Sequence, residues 1–183
     1  MFSEYERLID WIDRFLLGIQ KPRCPQGCAV CCRSDLALFP VEAFRMRKAF
    51  LDLPAEARLR IQSEKGPGGP SCSLLVGGDC LLYSKRPVLC RTHGVPFFTK
   101  TQGEAEAWEV HGGCEVLEGP DVLLAETLSG ISLLDLDLVN EALAAVNLNF
   151  LRGLPLSAAG LPDRIPMERI VQPFEWDQID AYL

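Results

Sequence analysis

Cys24-Pro25-Gln26-Gly27-Cys28-Ala29-Val30-Cys31-Cys32 places four thiols in nine positions. Four more follow singly, at Cys72, Cys80, Cys90 and Cys114, and none comes after. A thiol can be a soft metal ligand, a nucleophile or half of a disulfide, and the rest of the chain discriminates among the three. Disulfide-dense scaffolds are usually short chains that lack a core. This chain has 183 residues, 48% of them hydrophobic, and a chain of that length buries about 70% of its unfolded surface. Its start, Met1-Phe2-Ser3-Glu4-Tyr5-Glu6-Arg7, shows no basic segment followed by an apolar run. A reducing, cytoplasmic setting is therefore expected, in which thiols stay reduced unless a metal holds them. Metal ligation is the expectation for this framework.

Charge and hydropathy exclude other classes. The formal net charge of −7 makes a poor phosphate binder, so nucleic acid is not expected as a partner. The most apolar region, residues 122–154, is interrupted by Glu126, Asp135, Asp137 and Glu141, which are costly in lipid, so no membrane association is expected. Cations cluster near the thiols: Lys21, Arg23 and Arg33 around the first group, and Lys85, Arg86 and Arg91 around Cys90. A cation beside a thiolate lowers its pKa and offsets the charge of a multi-thiolate site.

Working outward, residues 2–19 carry apolar side chains at helical spacing, with Ser3 placed to cap the start. Pro40 opens a second helix over residues 40–50, and Pro54 a third reaching about residue 65. Gly66-Pro67-Gly68-Gly69-Pro70 is a loop. Residues 95–99 and 105–110 read as a hairpin about Thr101-Gln102-Gly103-Glu104. Residues 121–128 and 133–151 read as helices, the second starting near Asp135 or Asp137, with an apolar stripe of Leu134, Leu138, Leu143, Val146 and Phe150. The Pro-rich remainder, 153–183, reads as an irregular tail packed through Phe174 and Trp176. The expected fold is mainly α with a short β-hairpin and metal-organised loops, a small irregular α+β metal-binding domain. Residues 1–118 form the cysteine-cluster domain and 119–183 a helical C-terminal extension.

Cys28-x2-Cys31 has chelating spacing, and Cys24 offers a third ligand from the same loop. Adjacent side chains diverge, so Cys31 and Cys32 suit two metal centres, or two irons of one cluster, better than one ion. Two four-thiolate sites would use all eight of Cys24, Cys28, Cys31, Cys32, Cys72, Cys80, Cys90 and Cys114, whereas one polynuclear cluster would leave spares. His93 and His111, three positions from Cys90 and Cys114, have local chelate spacing too, set against an ordinary hydrogen-bonding role. Repeated Cys-x2-Cys pairs would favour zinc, and single thiols from separate loops favour an iron–sulfur cluster. Both cofactors stay open.

The string Cys-x3-Cys-x2-Cys-Cys, followed by Cys80-Leu81-Leu82-Tyr83-Ser84-Lys85-Arg86-Pro87-Val88-Leu89-Cys90-Arg91, resembles a bacterial eight-cysteine cluster family described as zinc- or iron-chelating proteins. All eight cysteines match its pattern, as do Tyr83, Arg86, Pro87 and Arg91. The resemblance covers about residues 20–118. It implies thiolate metal binding at those cysteines and leaves the reaction, if any, open.

Three functional expectations follow. The first is a metal-binding protein whose iron–sulfur or zinc site does redox or electron-transfer work. The second is a structural zinc module in an interaction protein, with the acidic, leucine-rich C-terminal third as the surface for a protein partner. The third is S-adenosylmethionine chemistry. Cys24-x3-Cys28-x2-Cys31 has radical S-adenosylmethionine spacing, and a flagellin lysine methylase resembles the cysteine pattern. Against it, Val30 replaces the usual aromatic residue, Cys32 is extra, and no run of βα units follows. A Cys90/His93 nucleophile pair is a further, weaker arrangement.

Overall fold

Tyr5, Leu8, Ile9 and Ile12 fall on one stripe, and helix α1 (Ser3–Leu17) buries that stripe. The computed structural model describes residues 1–18, 28–64, 71–100, 108–111, 133–154 and 161–172, with the backbone alone at 108–111. Ser3 does not cap α1. It is the first helical residue, Phe2 holds the cap position, and no side-chain hydrogen bond closes the end.

Helix α2 (Pro40–Leu51) begins with proline, whose missing N–H is not needed in a first turn. It is the centre of the molecule, with every residue of 40–47 buried. Its polar side chains have partners on other elements. Arg45 Nε bonds Glu6 Oε1 of α1 at 2.6 Å, and Arg47 Nη1 bonds the Ile170 carbonyl at 2.9 Å. The Glu42 carboxylate, 3% exposed, accepts the Phe39 N–H at 3.2 Å and the Val88 N–H at 2.9 Å, and a hydrogen bond from the Tyr5 side chain. After a short turn, α3 (Ala55–Glu64) follows Pro54 and buries Ile61.

Seven short strands complete the described chain. Strand β1 (Ala37–Leu38) pairs antiparallel with β7 (Ile165–Pro166), with Ala37 opposite Pro166. Strands β2 (Leu75–Val76) and β3 (Asp79–Cys80) form a tight hairpin whose turn residues, Gly77 and Gly78, have φ of 60° and 89°. That left-handed pair is the reason glycine stands at both positions. Strand β4 (Phe97–Lys100) lies between β5 (Trp108–His111), antiparallel to it, and β6 (Leu134–Asp135), parallel to it. The expected hairpin is therefore present, and its turn lies outside the described residues.

Helices α4 (Val88–Thr92) and α5 (Leu136–Arg152) are the remaining α-helices among the described residues. Asp135 caps α5, its Oδ1 accepting the Leu138 N–H at 2.9 Å. The buried stripe of α5 is Val139, Leu143, Asn147 and Phe150. Leu138, expected on that stripe, is 50% exposed, because Leu134 precedes the cap as part of β6 and the helical phase starts later. Asn147 is tolerated in the core because its Oδ1 accepts the Val41 N–H at 3.1 Å, satisfying an orphan donor of the α2 first turn. The chain is thus mixed α and β. Strand β6, α5, β7 and the 3₁₀ turn Met167–Ile170 join the same hydrophobic core as α1 and α2. The expected boundary at 118/119, the helix over 121–128, and Phe174 and Trp176 lie outside the described residues. Among the described residues no helix is long and apolar enough to cross a membrane.

Burial raises the Glu42 pKa, opposed by the Val88 and Phe39 N–H groups, the Arg164 charge and Tyr5. The folded state thus holds this proton more tightly than the unfolded chain, which releases it near 4.5. Stability contributed by Glu42 is present below that pH and falls as pH rises through the folded-state value. Urea titrations at several pH values, at one fixed metal state, should show this slope in the wild type and a flatter one in Glu42→Gln. Glu42→Ala leaves two buried N–H donors and Tyr5 without their acceptor and should cost roughly 3 kcal/mol.

Candidate metal centre

Six cysteines reach one cavity of about 320 Å³: Cys28, Cys31, Cys32, Cys72, Cys80 and Cys90. All six are thiols. They arrive on four separate stretches. The loop at 28–32 closes a turn in which the Cys32 N–H bonds the Ala29 carbonyl at 3.0 Å. Cys72 enters from the chain that leads into β2, and its N–H bonds the Cys32 carbonyl at 2.9 Å, beside an antiparallel bridge between Arg33 and Ser71. Cys80 ends β3, opposite Leu75. Cys90 lies in α4. His93, the residue at the α4 C-cap, lines the cavity as well. Apolar walls come from Leu36, Met46, Leu74, Leu89 and Met167.

Cys24 and Cys114 lie outside the described residues. His111 is on β5, opposite Phe97, and its side chain is likewise outside the description. Among the described residues no three His, Cys, Asp or Glu side chains stand close enough to hold an ion. The thiols surround a space instead of meeting at a point.

Electrostatics distinguish a metal cage from a nucleophile. Burial, then the charges of Cys72, Cys80 and Cys32, push the Cys90 thiol up to about 12, and Arg86 opposes them. Cys80 is also raised by burial, partly offset by the Leu82 N–H bonded to its sulfur, raised further by Cys72, and lowered by Arg86. An activated cysteine needs the opposite direction, so a Cys90/His93 nucleophile finds no support here. Thiolates crowded in a desolvated cavity would repel one another, so these groups stay protonated unless a cation offsets the charge. The donor set fits a thiophilic ion or an iron–sulfur cluster, with Cys72 the most buried of the six. The expected lowering by nearby cations is real at Arg86 but smaller than the desolvation it opposes.

The residues between Cys80 and Cys90 set the position of both thiols. The Arg86 guanidinium stacks 3.7 Å from the Tyr83 ring centroid, donates to the Tyr83 carbonyl at 3.0 Å and reaches the Cys90 carbonyl at 3.2 Å. Pro87 holds the cap position of α4. Arg91 points away from the cavity, contrary to its expected place among the flanking cations. It clasps both Asp13 oxygens at 2.8 and 2.6 Å and bonds the Ser84 and Arg86 carbonyls at 2.6 and 2.8 Å. Arg33 is paired at the surface with Asp35 at 2.9 Å. The role of Asp13 was missed from the sequence. It faces the same side of α1 as Glu6, two turns earlier, and that spacing was the available signal.

Lysine cannot reproduce the Arg91 fork. Arg91→Lys should lose roughly 2–4 kcal/mol in thermal or urea melts, and Cys90 should alkylate faster than in the wild type. Asp13→Asn, removing a half-exposed partner, should cost only about 1 kcal/mol.

No protein family, characterised protein or solved structure compared with this chain matches it, and the resemblance in the cysteine pattern stands on the residues quoted for it.

Proposed function

We propose that this chain is a thiolate metal-binding protein of redox or electron-transfer type, with an iron–sulfur cluster as the first reading of the bound group. The observation that carries it is the convergence of six cysteines, from four stretches of chain, on one largely apolar cavity. Six thiols on one cavity are more than the four that one tetrahedral ion takes, which favours a polynuclear group or two neighbouring sites. When bound, an iron–sulfur group supplies one-electron chemistry whose potential follows solvent exposure and hydrogen bonds to sulfur. The protein's part is to hold thiolates with Cys28, Cys31, Cys32, Cys72, Cys80 and Cys90, joined by Cys24 and Cys114 of the resemblance. The Leu82 N–H stabilises charge on the Cys80 sulfur, Arg86 adds a cation at the wall, and Leu36, Met46 and Met167 exclude water. The loops are organised by this centre under the proposal.

A second reading, a structural zinc module, is favoured by how little regular structure joins the cysteine-bearing stretches: β2 and β3 have two residues each. Structural zinc contributes about 10–16 kcal/mol to folding. Its partner surface would be the outer side of α5, where Leu138 and Leu148 are exposed.

Purification without oxygen, followed by assay of iron, zinc and acid-labile sulfide, separates the readings. The first predicts iron and sulfide together and a coloured chain. Stoichiometric zinc, no sulfide and loss of the fold on chelation would establish the second in its place. A chain that carries no metal and takes up neither iron nor zinc sinks both.

A further inference from the structure

We infer that the outer wall of the thiol cavity, where Tyr83, Lys85, Arg86 and Leu89 stand, is the docking surface for an acidic one-electron carrier protein. The inference rests on the redox reading above and names the kind of partner such a centre serves.

Two large side chains reach both the cavity and the solvent. Tyr83 is 62% exposed and Leu89 is 45% exposed, and each also lines the space that holds the thiols. The wall between that space and bulk water is therefore one side chain thick here. A protein seated on Tyr83 and Leu89 comes within one side chain of the cavity, which gives an electron a short path. The face is also preformed. The Arg86 guanidinium stacks 3.7 Å from the Tyr83 ring centroid and is tied to the Tyr83 and Cys90 carbonyls at 3.0 and 3.2 Å. A surface already ordered loses little freedom when a partner binds.

The charge of this face is opposite to that of the whole chain. The formal net charge is −7, yet residues 82–93 hold Lys85, Arg86 and Arg91 and no carboxylate. Arg91 is turned inward to Asp13. Lys85 is exposed at the end of the 3₁₀ turn Tyr83–Lys85. The partners of Arg86 are carbonyl oxygens and an aromatic ring, which leave its positive charge uncancelled. Elsewhere on the cavity wall the charges balance: Arg33 is forked on Asp35, and Asp79 is the one carboxylate among the described lining residues. A positive face on an acidic protein orients and steers an acidic partner while the rest of the surface repels it.

The test uses the whole chain, purified without oxygen with its metal in place, reduced with dithionite and then freed of it. It is mixed in stopped flow with an acidic b-type cytochrome in the iron(III) state. One electron passes from the centre to the haem iron, which becomes iron(II), and the haem absorbance gives the rate. Both proteins are acidic overall, so net charge alone predicts a rate that rises with salt. Docking at the positive face predicts a fall as salt goes from about 0.1 to about 1 M and the screening length shrinks from about 10 to about 3 Å. At equal metal per chain, Lys85→Glu should slow the reaction about tenfold. Lys48→Glu, the same charge change at an exposed position of α2 outside the cavity lining, should stay close to the wild-type rate. A rate that rises with salt, or equal slowing by the two variants, would overturn the assignment. So would a wild-type chain that a small neutral quinone oxidises but the cytochrome does not. If Lys85→Glu fails to fold, the wild-type salt dependence decides. A reduced wild-type chain that passes no electron even to the quinone overturns the redox reading instead, a distinct result.

Discussion

The Glu42 carboxylate ties the buried core of α2 to the short helix that carries Cys90. A buried carboxylate is tolerated only where donors surround it. Here they come from three directions: Phe39 at the start of α2, Val88 at the start of α4, and Tyr5 on α1. The Val88 contact matters most for the site, because it satisfies an N–H at the head of the short helix that carries Cys90. A helix of five residues has little stability of its own. Its position is imposed by Glu42 at one side and by the Arg91 fork on Asp13 at the other.

The same logic explains the non-cysteine part of the Cys80–Arg91 segment. Tyr83, Arg86, Pro87 and Arg91 carry no thiol. They make the chain between two thiols follow one path: Arg86 stacks and bridges, Pro87 presets the turn, and Arg91 anchors the result to α1. A metal cage needs its ligands placed before the ion arrives, since each disordered ligand adds an entropy cost to binding. Residues of this kind position Cys80 and Cys90.

Much of this was legible in the residues alone, and the failures have physical causes. Helices α1, α2 and α3 follow local spacing and proline placement, and Asp135 announces the start of α5. The α5 stripe was misphased because Leu134 looks like one more apolar helical residue, when it is the end of a strand paired with Phe97. Asn147 was unreadable as a core residue, since the donor it satisfies, Val41, is 106 positions away. The β1–β7 pairing was invisible for the same reason: two-residue strands carry no periodicity, and their register is set by distant chain. The cysteines were legible as a set, but that Cys72 lies beside Cys32 follows only from the backbone bond between them.

The pairing of β1 with β7 bears on how the protein is made. Met167 follows β7, bonds the Leu36 carbonyl through its N–H at 2.8 Å, and lines the thiol cavity. A ribosome therefore delivers Cys90 and the cysteines before it 77 residues ahead of Met167, a side chain that lines their cavity. At synthesis rates of about 5–20 residues per second, the thiols spend several seconds without that wall. During this interval the thiols meet solvent and oxidants without the Met167 side chain that later lines their cavity.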